Sequence, residues 1–174
     1  WFLCQEGFMT VAFDGSFVAV KKAVSFCSEL TSPGVFLQAD AGILPFSDGV
    51  FDVVADIGAI SANSTHSIRQ ILKEICRVLK PGGRLFSSVL FTTSTSGFRY
   101  GEQIDSHSYR NIESGPVAGL GTIHFFTRKE ICRLWQQAGF EEPVIDLISR
   151  TDHGGSQRVS FYTAAARKPG DRHV

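Results

Sequence analysis

The chain has 174 residues, with 17 basic and 17 acidic side chains balancing to a formal net charge of zero. That length suits one domain with a real core and is short for two. The basic residues are scattered, so no electrostatic footprint for nucleic acid is visible. No apolar run reaches the roughly 20 residues of a membrane span. A soluble cytoplasmic protein with neither nucleic-acid nor membrane partner is expected. Cys4, Cys27, Cys76 and Cys132 form no CxxC pair and have no histidine at ligand spacing, which predicts reduced free thiols and no metal site. The chain opens Trp-Phe-Leu-Cys-Gln-Glu-Gly, without the basic stretch of a secretory signal and without Met; a missing N-terminal segment is therefore expected.

Residues 10–13 read as a short buried strand ending at Asp14-Gly15-Ser16, with Ser16 as N-cap of the next helix. Val20, Ala23, Val24, Cys27 and Leu30 recur there at helical spacing until Ser32-Pro33-Gly34. Residues 35–38 form a second strand leading into Ala39-Asp40-Ala41, and after a turn-rich stretch residues 51–57 form a third. The clearest helix follows. Its apolar face is Ile68, Ile71, Leu72, Ile75, Cys76, Val78 and Leu79, with Arg69, Gln70, Lys73, Glu74 and Arg77 pointing away. Lys80-Pro81-Gly82-Gly83 stops it, and Arg84 to Phe91 is a long apolar strand.

Residues 92–123 break this rhythm. They are rich in Ser, Thr and Gly, yet carry Phe98, Arg99, Tyr100, Asp105, His107, Tyr109 and Arg110. A loop this long in a compact domain is a binding element or disordered, and a substrate-covering insertion is the expected use. Thr127-Arg128-Lys129-Glu130 then reads as a capping box, with Thr127 the cap and Glu130 reaching back. Ile131, Leu134, Trp135 and Ala138 give that helix a buried stripe, and Gly139 ends it. Residues 143–148 and 159–166 are the last strands, joined by a turn around Asp152-His153-Gly154-Gly155.

This alternation predicts an α/β fold: one domain over residues 1–174 with a mostly parallel sheet, helices on both faces and an antiparallel hairpin near the C-terminus. In open α/β sheets ligands sit beyond the carboxyl ends of the strands. Asp14, Asp40 and Asp56 occupy such positions. An acid at the end of a strand, as Asp14 is, suits the two hydroxyls of a ribose.

Val-Ala-Phe-Asp-Gly-Ser, residues 11–16, resembles the second-strand motif of the class I, Rossmann-like SAM-dependent methyltransferases. Residues 38–54, Gln-Ala-Asp-Ala-Gly-Ile-Leu-Pro-Phe-Ser-Asp-Gly-Val-Phe-Asp-Val-Val, resemble their next two motifs run together. Leu-Lys-Pro-Gly-Gly-Arg-Leu (79–85), His-Phe-Phe-Thr-Arg-Lys-Glu (124–130) and Ala-Gly-Phe (138–140) are similar to their later ones. Order and spacing together make the likeness specific over about residues 8–168.

The resemblance implies S-adenosyl-L-methionine (SAM) as cofactor and a small molecule as methyl acceptor. Asp14 would bind the ribose, Asp40 would accept from the adenine amino group, and the Ala41 backbone would meet the ring edge. Ile57 and Gly58 would lie along the methionine part or under the ring. Gly15, also in the cofactor site, stands where many relatives carry an apolar side chain against the adenine. The family's first strand and glycine-rich loop would precede residue 1, so the fold is expected to be N-terminally truncated, with residues 1–8 the tail of the helix that follows that loop. Strand edges beside 10–13 and 52–57 would then be exposed, and self-association through them is expected.

Methyl transfer needs a general base only when the acceptor must lose a proton. His66, ahead of the main helix, and His107, in the 92–123 segment, are the candidate bases; His124, beside two Phe residues, reads as packing. A second reading is a methyltransferase-like remnant or interaction module that binds no SAM. A third, a nicotinamide-dependent oxidoreductase, shares Asp14, but residues 38–54 and the Leu-Lys-Pro-Gly-Gly turn argue against it. An RNA acceptor is the weaker substrate class at neutral charge.

Overall fold

The computed structural model describes residues 2–28 and 34–170. They fall into two compact units, Trp1–Pro45 and Phe46–Val174. The first contains α1 (Phe2–Gln5), β1 (Val11–Asp14), α2 (Phe17–Cys27) and β2 (Val35–Gln38). The two strands are parallel, with Val11 opposite Val35 and Asp14 opposite Gln38. Parallel neighbours need a crossover, and α2 supplies it. As expected, Ser16 caps α2, its hydroxyl accepting from the Ala19 N–H at 3.3 Å. The buried stripe is narrower than the periodicity suggested: Val20 and Cys27 are buried, while Val24 is 47% exposed. Leu30, Ser32 and Pro33 lie outside the described residues.

The second unit begins with β3 (Phe51–Ile57), a 3-10 turn (Ile60–Ala62), α3 (Thr65–Val78) and β4 (Leu79–Phe91). Three short strands follow, β5 (Glu102–Gln103), β6 (Ser108–Arg110) and β7 (Ile123–His124), then α4 (Arg128–Ala138), β8 (Val144–Asp152) and β9 (Gln157–Arg167). The main sheet has the order β3-β4-β9-β8. Its β3–β4 pair is parallel, and the C-terminal hairpin β8–β9 is antiparallel, as predicted.

The core of this unit lies between α3, α4 and the sheet. Ile68, Ile71, Leu72, Ile75 and Val78 of α3 are buried, as are Ile131, Leu134 and Trp135 of α4. Burying each such side chain contributes roughly 1.5–3 kcal/mol relative to leaving it in water. Ser64 caps α3 and Thr127 caps α4, while Gly139, at φ 103°, ends α4 in the left-handed conformation. Lys168 closes α3 from a distance, its ammonium donating to the Cys76 and Leu79 carbonyls at 2.7 Å each.

Three details differ from the sequence expectation. The helix does stop at Val78, but β4 starts at Leu79, ahead of the Pro-Gly-Gly turn: Leu79 pairs with Phe51, and after a register shift Arg84 pairs with Val53. Residues 92–123 are folded. Their strands form a small antiparallel sheet of order β5-β6-β7. Tyr109, Ile112, Val117, Ile123 and Phe125 make a buried cluster there, with Phe91 and Phe98 packed against it. Too few residues alternate in strands this short to leave a readable period. Glu130 is the third difference, described below.

Among the described residues β1 pairs only with β2, and β3 is an outer strand of the main sheet. Val53 and Ile57 on β3 are 58% and 69% exposed. All four cysteines are free; Cys4 and Cys27 are buried, Cys76 and Cys132 partly exposed. Among the described residues no helix is long and apolar enough to cross a membrane.

Candidate functional site

In the first unit, β1 delivers Asp14 to its carboxyl end, where the side chain is exposed. One carboxylate oxygen accepts the Ser16 N–H at 2.7 Å, and the other meets no donor among the described residues. The Gly15 carbonyl is held by the Gln38 side-chain amide at 2.9 Å, and a Cβ added at Gly15 would find nothing within 4 Å. Open space therefore stands where relatives of the expected family carry an apolar side chain. Asp40 is exposed and starts a turn: its Oδ1 accepts the Gly42 N–H at 2.7 Å, with Ala41 inside the turn.

In the second unit, β3 ends at Ile57, and Gly58 follows at φ 83°, a conformation that favours glycine. The Gly58 N–H donates to the Ser88 carbonyl at 3.1 Å, continuing the β3–β4 ladder. Asp56, near the end of β3, is turned into the protein rather than toward solvent. It is 7% exposed, with Oδ1 accepting from the Ile60 N–H at 3.1 Å and Oδ2 buried without a partner among the described residues. Burial pushes its carboxyl up to about 6, against the pull of the Ile60 and Ala59 N–H groups.

His66 is exposed on the first turn of α3 and is not gathered into any cluster. His107 is. Its Nδ1 lies 2.7 Å from Glu130 Oε2, and its side chain is 29% exposed. The same carboxylate oxygen lies 3.4 Å from His124 Nε2. That nitrogen is within ion-pair distance but outside hydrogen-bond geometry, and is buried with no hydrogen-bond partner among the described residues. His124 is fully buried; its Nδ1 stands 2.8 Å from the Ser108 hydroxyl, and its ring packs on Phe126 at 4.3 Å. Packing was the expected role, and the polar contacts were not foreseen. Glu130 does not reach back to close a capping box: Thr127 accepts the Glu130 N–H at 3.2 Å, while the Glu130 carboxylate turns to the two imidazoles. Burial raises that carboxyl, but the imidazoles outweigh it and the net shift is downward.

Asp105 holds this cluster in place. Its carboxylate accepts the His107 and Ser108 N–H groups at 3.1 and 2.9 Å, and the Thr65 N–H at the start of α3 at 2.9 Å. Partial burial pushes the Asp105 carboxyl up, but these donors bring it down to about 2. The cluster is thereby tied to the segment that follows the carboxyl end of β3, where open α/β sheets bind ligands.

Residues 2–87 match the family described as a methyltransferase domain. Over 150 residues the chain is 31% identical to the demethylmenaquinone methyltransferase of Lactococcus lactis, covering 77% of this chain and 54% of that protein. A second relative is the ubiquinone/menaquinone biosynthesis C-methyltransferase UbiE of Chromobacterium violaceum, 50% identical over 60 residues, 33% of this chain and 24% of that one. A SAM-dependent methyltransferase from Methanosarcina mazei shares the fold with a TM-score of 0.79, 21% identity, and coverage of 97% of this chain and 86% of that one. The chain is thus similar to the methyltransferase-domain family over residues 2–87 and shares its fold with SAM-dependent methyltransferases. A further family structure, the Burkholderia thailandensis 1,6-didemethyltoxoflavin-N1-methyltransferase with 1,6-didemethyltoxoflavin and S-adenosylhomocysteine bound, has a TM-score of 0.67 at 18% identity, over 97% of this chain and 64% of that one. The chain spans about half the length of the first of these methyltransferase relatives and about a quarter of the second. Asp14, Gly15, Asp40, Ala41, Ile57 and Gly58 all fall within the matched methyltransferase domain, whereas His107, His124 and Glu130 lie beyond it.

Proposed function

We propose that the chain takes part in SAM-dependent methyl transfer to a small-molecule acceptor. The observation that carries this reading is the match over residues 2–87, which contains every candidate cofactor residue. In the first unit, the Asp14 oxygen that meets no donor among the described residues accepts from the ribose hydroxyls, and Asp40 accepts from the adenine amino group beside the Ala41 backbone. Gly15 leaves room for the ring. In the second unit, Ile57 and Gly58 serve the methionine part. When bound, SAM supplies an electrophilic sulfonium methyl, so the protein has chiefly to align the acceptor with it.

A small acceptor is supported by the relatives named for demethylmenaquinone and didemethyltoxoflavin. The folded 92–123 segment serves as the acceptor cover and keeps water out. For an acceptor that must shed a proton, His66 or His107 takes it; the Glu130 hydrogen bond at Nδ1 leaves the other nitrogen of His107 as the acceptor. The four free thiols agree with a reducing, cytoplasmic setting.

Calorimetric titration of the purified chain with SAM tests this, beside the same chain carrying Asp14→Ala. Saturable binding that the substitution abolishes is the expected result. No heat from either protein would overturn the cofactor reading and favour a methyltransferase-like interaction module.

A further inference from the structure

We propose that His107, His124 and Glu130 form a binding site for a divalent transition-metal cation, with zinc the representative ion. Two imidazoles and a carboxylate are a donor set that such cations take, and the three ligand atoms lie within 4.8 Å of one another. Composition alone does not make this a site, since histidines and acids also cluster as plain ion pairs. The second observation is His124. Its side chain is fully buried, Ser108 occupies its Nδ1 at 2.8 Å, and its Nε2 points toward Glu130 with no hydrogen-bond partner among the described residues. A buried nitrogen whose nearby carboxylate oxygen stands off at 3.4 Å is poorly satisfied, and a coordinated cation supplies a closer partner. The Ser108 contact has the form of the outer-sphere hydrogen bond that fixes which nitrogen a ligating histidine presents.

The three ligands stand on different elements, each already fixed. His124 is in β7, opposite Ser108 in β6. His107 precedes β6 and is held by Asp105 through its own N–H. Glu130 is in the first turn of α4 and 8% exposed. Nothing has to fold around the ion, which favours binding. The closest pair, His107 Nδ1 and Glu130 Oε2 at 2.7 Å, is tighter than the roughly 3.3 Å between ligands of a tetrahedral zinc with bonds of about 2.0–2.1 Å. Binding therefore replaces the hydrogen bond between them: the proton leaves Nδ1, the ring takes one up at Nε2, and His107 moves outward by about half an ångström. His107 is the most accessible of the three ligands, so it has room to move and marks the side by which the cation enters.

Three protein ligands leave at least one coordination position for water or for an oxygen atom of a small molecule. With the cation bound, His107 is a ligand, and the general base of the proposed reaction falls to His66.

The test needs neither SAM nor an acceptor, so it stands apart from the cofactor reading. The chelator-treated chain is titrated with Zn²⁺ by calorimetry and with Co²⁺ by visible absorption, which reports four-coordinate cobalt. Binding of one cation per chain is expected, weakened at least about 10-fold by Glu130→Gln and by His107→Ala, and to a similar degree by Ser108→Ala. His66→Ala, Cys76→Ser and Cys132→Ser leave it unchanged. His107→Ala replaces the most accessible of the three side chains, so it carries the test even where the Glu130 variant fails to fold. Absence of binding overturns the proposal, and so does binding that His107→Ala does not weaken, which marks an adventitious surface ion.

Discussion

Replacing Asp56 with asparagine is expected to make the chain gain stability relative to its parent as pH rises from about 3 to above 6. Asp56 is 7% exposed, one oxygen takes the Ile60 N–H, and the other has no partner among the described residues. Burial holds the carboxyl up at about 6 in the folded chain, against 3.8 in a solvated aspartate. Because the folded value is the higher, the native state binds the extra proton between those limits, and stability falls as pH rises through them. The penalty is complete above about pH 6. At about 1.4 kcal/mol per pH unit it comes to about 3 kcal/mol. Asparagine keeps an oxygen for the Ile60 N–H and never charges. Its amide leaves a buried donor that costs about 1–3 kcal/mol, but at every pH alike. The quantity to measure is therefore how the stability difference between variant and parent changes with pH. Urea unfolding at pH 3.5 and 8, followed by the fluorescence of buried Trp135, gives it directly. The variant is expected to gain about 3 kcal/mol on the parent between the two conditions. A difference that is the same at both pH values would refute the reasoning.

Two further predictions concern the 92–123 segment and the outer strand β3. A Cβ at Gly115, which has φ 86°, would come 2.6 Å from the Ser96 carbonyl oxygen, so Gly115→Ala is expected to cost about 1–3 kcal/mol; an unchanged melting temperature would mean that the 92–123 segment contributes no packing. The exposed outer strand β3 is expected to make the chain associate as its concentration rises, and Val53→Lys to suppress this; sedimentation as a monomer throughout would count against the free-edge reading.

The elements with strong periodicity were legible. The face of α3, the caps Ser16 and Thr127 and the strands 35–38 and 51–57 follow from spacing and from hydrogen-bonding chemistry confined to a few neighbouring residues. Hairpin β8–β9 was legible for the same reason. Asp14, Asp40 and Gly58 stand at the strand and turn positions that the sequence assigned them. The packed 92–123 segment was not legible, since its strands have two or three residues and its cluster joins Tyr109, Ile112, Val117, Ile123 and Phe125 across turns.

Glu130 shows where local reading stops. Ser-Thr caps and an acid three residues later form a pattern whose partners lie within one helical turn, so the sequence indicates Thr127 correctly. It also predicts that Glu130 turns back to the cap. The carboxylate instead goes to His107 and His124, which β6–β7 pairing carries to the start of α4. Asp56 is a similar case, as a strand-end acid whose orientation depends on the backbone after it. The order of elements, the helix caps and the family motifs could be read from the residues alone, because these rest on contacts between residues near in the chain. Which acids meet solvent and which histidines meet a carboxylate was decided by tertiary structure, because those contacts join residues that only strand pairing and helix packing bring together.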